Sequence, residues 1–348
     1  MGKITKAQAE RSVNMKITVL GAGTWGVALS ALLIENGHDV TLWSALNSEL
    51  SSVEARIHKN LPGVTLPEGI KCERDIAAAV RDAELCLVVV ASAYLRKTVA
   101  LAAPHLPDGV VIASATKGIE DGTLYTMSEV INDAISLHAP ALKYTVAALS
   151  GPTHAEEVAA SQPTSIVSAC EDEEVSRRIA SAFASGCMRV YTNTDILGVE
   201  IAGALKNIIA IAAGMGRGMG FGDNAQAMLI TRGIAEMSRM GIAMGCKRRT
   251  FMGLAGIGDL IVTCTSRHSR NNRCGEMIGQ GMTYGEASEK IGMVVEGYHA
   301  LRAAVALSEK YGVELPITNA VYSVIVDGVT PRDAMVALMS RDMKSELE

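Results

Sequence analysis

Short aliphatic runs alternate with helical stretches through the first half of the chain. Lys16–Leu20 (KITVL) reads as a buried strand, Thr24–Asn36 as a helix closed by Gly37, and Asp39–Trp43 (DVTLW) as the next strand. A helix near Asp75–Asp82 leads into Leu85–Val90 (LCLVVV), apolar on both faces as a central parallel strand is. Helix Tyr94–Ala103 and strand Val110–Ala115 continue the alternation, with further strands at Thr145–Leu149, Ser165–Ala169 and Met188–Tyr191. The pattern predicts a doubly wound, Rossmann-type α/β domain with a parallel sheet. Near Asn193 it changes. Long Ala/Ile/Leu/Met segments at helical spacing, over 195–213, 224–245, 273–289, 296–311 and 330–339, predict a mostly α-helical C-terminal domain. The expected organisation is a flexible polar extension over 1–14, an α/β domain over 15–193 and a helical domain over 194–348.

Composition sharpens this picture. The 348 residues are 49% hydrophobic but only 4% aromatic, so the core must be aliphatic. Glycine is abundant, at 33 residues, with no short period that would make it collagen-like. A formal net charge of −5 argues against a general nucleic-acid binder, which would carry a basic surplus. Seven scattered cysteines without a C-x-x-C fit a reduced, cytoplasmic chain and offer no zinc spacing, so no metal is expected. The longest uninterrupted apolar runs, Leu85–Val90 and Ile208–Ala213, fall well short of the ~20 residues of a membrane span. The first fourteen residues lack the apolar centre of a signal peptide.

Gly21–Gly26 reads GAGTWG, a match to G-x-G-x-x-G that is weak alone. Its context makes it specific: it follows a strand, opens a helix and lies within one βαβ unit. Gly21 allows the tight turn, Gly23 lets backbone approach a pyrophosphate, and Gly26 allows close helix–sheet packing. The helix N-terminus offers free N–H groups to phosphate. A dinucleotide is the implied cofactor. At the tip of the second strand, Ser44-Ala45-Leu46 supplies neither the acid of an NAD site nor the Arg of an NADP site. NAD or NADP stays open.

Lys206 interrupts the apolar segment Val199–Gly214, with Ala202, Gly203, Ile209 and Ala210 at helical neighbour positions. Periodicity favours a snorkelling lysine; the alternative is a pocket lysine whose burial suits it to proton transfer. Asp223 and Asp259 sit in glycine-flanked turns, where side chains are presented rather than packed. Arg267-His268-Ser269-Arg270-Asn271-Asn272-Arg273 concentrates donors suited to a phosphate, although for a charged run a solvated loop is the usual answer.

These motifs, with Lys117-Gly118-Ile119-Glu120, SGPTHAEEV (Ser150–Val158), GDNAQAMLITRGIAEM (Gly222–Met237), GLAGIGDLIVTCTSRHSRN (Gly253–Asn271) and MVVEG (Met293–Gly297), resemble those of bacterial NAD(P)-dependent glycerol-3-phosphate dehydrogenase. They occur in that family's order from about Met15 nearly to the C-terminus. The resemblance implies an oxidoreductase for the reversible reduction of dihydroxyacetone phosphate to sn-glycerol 3-phosphate, for phospholipid synthesis. It implies Lys206 as the catalytic proton donor and acceptor. Lys117, Gly151, Thr153, Lys206, Asp259, Ser269, Arg270 and Asn271 are the implied substrate contacts. Gly21, Gly23, Thr24, Trp25, Gly26, Lys117, Ala155, Arg270, Val294 and Glu296 are the implied cofactor contacts. Asn207 and Asn224 stand beside these motifs, as residues that would orient Lys206 and substrate. One departure stands out: Ala45-Leu46 replaces the His-Arg of many members, removing the usual partner of a 2′-phosphate.

Two other readings compete. A related two-domain β-hydroxyacid dehydrogenase would have to grip a carboxylate. A non-catalytic dinucleotide sensor would need the glycine loop but not Lys206 together with Asp259 and the Ser-Arg-Asn triplet. The expected ligands are small molecules, with no nucleic acid, no membrane span, and a possible homodimer from the apolar C-terminal domain.

Overall fold

The structure, a computed structural model, describes residues 14–343 and 345–346. The predicted extension 1–14 therefore lies, except for Asn14, outside the described residues. The chain divides into two compact units. One comprises residues up to Lys117 together with Tyr125–Glu200; the other comprises Gly118–Leu124 and residues from Ile201 onward.

The first unit is built on eight strands: β1 (Lys16–Leu20), β2 (Asp39–Trp43), β3 (Lys71–Glu73), β4 (Leu85–Val88), β5 (Val110–Ser114), β6 (Tyr144–Ser150), β7 (Thr164–Ala169) and β8 (Met188–Asn193). Their order in the sheet is β3-β2-β1-β4-β5-β6-β7-β8. Strand residues alternate between two apolar cores. Ile17, Val19, Leu85 and Leu87 face one, whereas Leu20, Cys86, Val88 and Ile112 face the other. Both faces are covered, which is why these strands read as continuous apolar runs.

The expectation of a parallel sheet needs one correction: β6 and β7 pair antiparallel, with Ala148 opposite Ala169. Their connection contains only a five-residue helix, Ala155–Ala159. Side-chain alternation is the same in a parallel and an antiparallel strand, so the apolar pattern does not carry strand direction; β7, and β8 parallel to it, run against the rest of the sheet. The three-residue β3 escaped the sequence pattern because it is a short polar edge strand without an apolar run.

The helices of this unit are α1 (Thr24–Glu35), α2 (Asn47–Glu54), α3 (Ile76–Val80), α4 (Ser92–Ala102), α5 (Met127–His138), α6 (Ala155–Ala159) and α7 (Glu173–Phe183). A distant carboxylate closes the start of α5: Ser128 donates to Glu200 from its N–H at 2.8 Å and from its hydroxyl at 2.6 Å. Burial pushes the Glu200 carboxyl up to about 7 from its ordinary 4.5. The folded chain then holds a proton that the unfolded chain releases near pH 4.5. This group's stabilisation is present at low pH and lost as pH rises through about 7, a loss of about 3 kcal/mol at most. Glu200→Gln should flatten the fall in stability between pH 5 and 8, by at least ~1 kcal/mol in urea unfolding. An unchanged pH profile would remove Glu200 from this role.

The second unit contains α8 (Ile196–Gly218, which begins in the first unit), α9 (Asp223–Ala243), α10 (Arg248–Phe251), α11 (Asp259–Thr265), α12 (Arg270–Gly279), α13 (Tyr284–Ile291), α14 (Glu296–Tyr311), α15 (Pro316–Ile325) and α16 (Pro331–Met339). The single helix predicted over 273–289 is two. Gly281, at φ +105°, ends the first, and a Thr283–Glu286 capping box starts the second. Helix α8 runs five residues past its predicted end at 213, so its apolar length exceeds the Ile208–Ala213 run read from sequence. It is the one described helix long and apolar enough to cross a membrane, yet 83% of its most apolar window is buried inside the protein.

Helix α8 is also the spine of the site. Methyl groups on Gly214 or Gly218 would collide with the carbonyls of Asn272 and Glu276; on Gly275 or Gly279 they would strike those of Ile211 and Met215. Glycine at i and i+4 on both helices thus lets α8 and α12 pack backbone to backbone. The start of α14 docks on the same helix, where a Cβ on Gly297 would meet the Asn207 carbonyl oxygen at 2.7 Å.

Candidate active site

In the first unit, β1, β2, β4, β5 and β6 run parallel, so the loops after them gather at one carboxyl edge, where open α/β sheets bind ligands. The glycine loop lies there. Gly21 has φ +122°, and a Cβ on it would meet the Val89 carbonyl oxygen at 2.5 Å. A Cβ on Gly26 would strike the Gly21 carbonyl, whereas one on Gly23 would meet nothing within 4 Å. The outer two glycines close the turn and the middle one leaves backbone open to an approaching group. Helix α1 begins at Gly23 with no side-chain cap and no acid in its first turn, which leaves its positive end for a pyrophosphate. These features fit a dinucleotide. Thr24 accepts from Asn60 at 3.2 Å, and Trp25 and Ala155 pack half-buried against the same core.

At the same edge, the Gly151 carbonyl accepts from Lys117 Nζ at 3.1 Å and from the Thr153 hydroxyl at 3.2 Å. Three residues named separately by sequence are thereby brought together. A Cβ on Gly151 would stand 3.0 Å from the Ile166 Cα, so β7 packs closely against this position.

In the second unit, Lys206 does not snorkel. Its side chain is 6% exposed, and Nζ donates to Asp259 Oδ1 and to Thr263 Oγ1, both at 2.6 Å. Thr263 in turn donates to the Asp259 backbone carbonyl at 2.6 Å. The Asp259 side chain is 2% exposed, so this is a buried ion pair: the carboxylate favours the ammonium that burial alone would discharge. Asp259 is reached through a π turn at Leu254–Gly258 that opens directly into α11, rather than from a loose glycine turn. Gly256 permits this turn, since a Cβ there would strike the Phe251 carbonyl. Sequence reading missed Thr263, although it lies four residues after Asp259 on one helical face.

The Ser269-Arg270-Asn271 triplet forms the start of α12. Ser269 caps the helix, accepting from Asn272 N–H at 3.2 Å. Arg270 donates to the Val294 carbonyl at 2.8 Å. Asn271 donates to Asn207 Oδ1 at 3.0 Å and accepts from Gly297 N–H at 2.9 Å, tying α12 to α8 and α14. Asn272, from the same donor run, is buried; it donates to the Cys264 carbonyl and accepts from Arg217. Glu296 is the first residue of α14, and Asn224 lies exposed in the first turn of α9. Among the described residues no cluster of three or more His, Cys, Asp or Glu side chains could hold a metal ion.

A glycine cradle at the carboxyl edge of a doubly wound sheet, with a buried lysine–carboxylate pair on a helical unit, defines a dinucleotide-dependent dehydrogenase. Comparison with known proteins agrees. The family described as NAD-dependent glycerol-3-phosphate dehydrogenase matches through its N-terminal part at residues 16–176 and its C-terminal part at 195–336. A "glycerol-3-phosphate dehydrogenase [NAD(P)+] 2" of Lactobacillus delbrueckii subsp. bulgaricus is 50% identical over 333 residues, covering 95% of this chain and 99% of that protein. A glycerol-3-phosphate dehydrogenase [NAD(P)+] of Chlorobium phaeobacteroides is 46% identical, covering 96% and 99%. The crystal structure of the Coxiella burnetii glycerol-3-phosphate dehydrogenase superposes with a TM-score of 0.88 at 35% identity, covering 94% of this chain and 99% of that one. The chain belongs to the NAD-dependent glycerol-3-phosphate dehydrogenase family, and it is an NAD(P)-dependent oxidoreductase. The β-hydroxyacid dehydrogenase and sensor readings find no support in these relatives.

Proposed function

We propose that this chain interconverts dihydroxyacetone phosphate and sn-glycerol 3-phosphate, supplying the glycerol phosphate backbone of phospholipids from the cytoplasm. The observation that carries the chemistry is the buried Lys206–Asp259–Thr263 cluster. The nicotinamide, when bound, supplies the hydride for the ketone carbon. Lys206 donates a hydrogen bond to the ketone oxygen and delivers a proton to it as it becomes an alkoxide. Asp259 keeps the ammonium charged in the low-dielectric interior, and Thr263 fixes its direction. Arg270 and the N-terminal end of α12 hold the substrate phosphate, with Ser269 and Asn271 fixing that helix in place. Lys117, steadied by Gly151 and Thr153, is assigned to cofactor and substrate at the carboxyl edge of the sheet. Gly21, Gly23 and Gly26 cradle the pyrophosphate beside Thr24, Trp25 and Ala155; Val294 and Glu296 complete the assigned cofactor contacts.

The test is a steady-state assay of the purified chain with dihydroxyacetone phosphate and NADH, set against a panel of 2- and 3-oxo acids. Turnover with the phosphorylated ketone is expected to exceed that with any oxo acid by at least two orders of magnitude, as a site built around a phosphate rejects ligands lacking one. Comparable turnover of an oxo acid would overturn the substrate assignment.

A further inference from the structure

Sequence alone leaves the tip of β2 without an acid, because Ser44-Ala45-Leu46 contains none. The fold supplies one from further along. The Trp43 carbonyl accepts from Gly21 N–H at 2.8 Å, which places Ser44 immediately beside the first glycine of the cofactor loop. The Ser44 hydroxyl accepts from Leu46 N–H at 3.1 Å and donates to Glu49 Oε2 at 2.6 Å. Glu49 lies in the first turn of α2, where the helix dipole favours a carboxylate. Its half-buried side chain is thereby drawn back to the end of β2. In Rossmann-type folds an acid about 20 residues beyond the glycines receives the adenosine ribose hydroxyls at this strand end.

The surrounding cations do not offset that charge. Arg56 is held by the Leu66 carbonyl at 2.8 Å and by Glu68 at 2.7 Å. Arg74 is held in a fork by Glu54 at 2.9 and 3.0 Å. His58 is buried and hydrogen-bonded to the Ala22 backbone. Burial holds its pKa below the ordinary 6.5 even though Glu49 pulls it upward, so the ring is neutral at pH 7. Lys59, on the same stretch, is exposed.

We propose that Glu49, oriented by Ser44, is the cofactor-selecting residue of this chain: it accepts from the adenosine ribose hydroxyls and repels a 2′-phosphate, making the enzyme NAD-preferring. This rests on the dinucleotide reading of the glycine loop. A like-charge carboxylate at the 2′ position discriminates by repulsion, a penalty built against the phosphorylated cofactor.

Direct binding tests it without turnover. The full-length chain is titrated with NADH and with NADPH at low salt, following the fluorescence of its two tryptophans. Adenosine 5′-monophosphate and adenosine 2′,5′-bisphosphate serve as competitors that isolate the ribose end. NADH is expected to bind at least about tenfold more tightly than NADPH, with the gap narrowing as salt screens it. Glu49→Gln keeps the shape and should tighten NADPH about tenfold or more while changing NADH only a few-fold. Ser44→Ala should narrow the gap in the same direction by less, and Lys59→Ala should leave the ratio unchanged. Equal binding of the two cofactors by the natural chain, or a ratio that Glu49→Gln does not move, would overturn the proposal. So would loss of NADPH binding on Lys59→Ala, which would make that lysine a 2′-phosphate partner. Binding of neither cofactor would overturn the dinucleotide reading itself, an outcome distinct from equal binding.

Discussion

Replacing Lys206 with alanine is expected to lower kcat by at least about a thousandfold, roughly 4 kcal/mol of transition-state stabilisation, with cofactor affinity changed less than about twofold. The ammonium is the group assigned to the reacting oxygen, and Asp259 and Thr263 beside it cannot replace it as donors of a positive charge. The glycine loop belongs to the other unit, so the cofactor titration reports whether the fold around it survives. Stability needs its own control. Removing one partner of a buried ion pair strands the other, at a cost of about 3–5 kcal/mol. Lys206→Met with Asp259→Leu removes both charges and should recover most of that stability in urea unfolding while remaining inactive. A single variant with kcat near that of the natural chain would end the assignment of Lys206 as proton donor.

The second large effect is expected at Arg270. Truncation to alanine should raise the apparent KM for dihydroxyacetone phosphate tenfold to about a hundredfold, the range set by losing a charged hydrogen bond of ~1.5–3 kcal/mol. The effect should fall on KM more than on kcat, because phosphate binding is remote from the reacting carbon. Arg270→Lys should recover only part of it, since lysine offers a point charge in place of a planar fork. The guanidinium also donates to the Val294 carbonyl, so a thermal melt must accompany the kinetics to separate loss of phosphate binding from loosening of the 293–297 segment. An unchanged KM would move the phosphate site away from α12.

Residues differed in how plainly the chain declared them. The glycine loop was legible because strand, loop and helix are contiguous and each glycine answers a local steric demand. Ser269, Arg270 and Asn271 were legible as a dense donor run, but their structural partners were not: Ser269 caps α12, and Asn271 bridges Asn207 and Gly297. Thr263 went unread because its importance arises from Lys206, 57 residues away in sequence. Helix α15 went unread for a related reason: Glu236, on α9, accepts from Ile317 and Thr318 N–H and so caps it from 81 and 82 residues away.

Local patterns, then, determined much of this protein by themselves. Apolar runs separated by helical segments specified the α/β unit, the change of texture near Asn193 specified a helical one, and the GAGTWG loop specified a dinucleotide. Those features depend on forces acting within a few residues: backbone sterics, helix dipoles and the burial of contiguous apolar faces. The tertiary structure alone decided that Lys206 is buried rather than snorkelling, that β6 meets β7 antiparallel, and that Glu49 stands at the end of β2. Each of these depends on what packs against a residue from elsewhere in the chain. A buried charge is tolerated only where a partner arrives to pair it, and that partner's position is set by helix packing, not by spacing along the sequence.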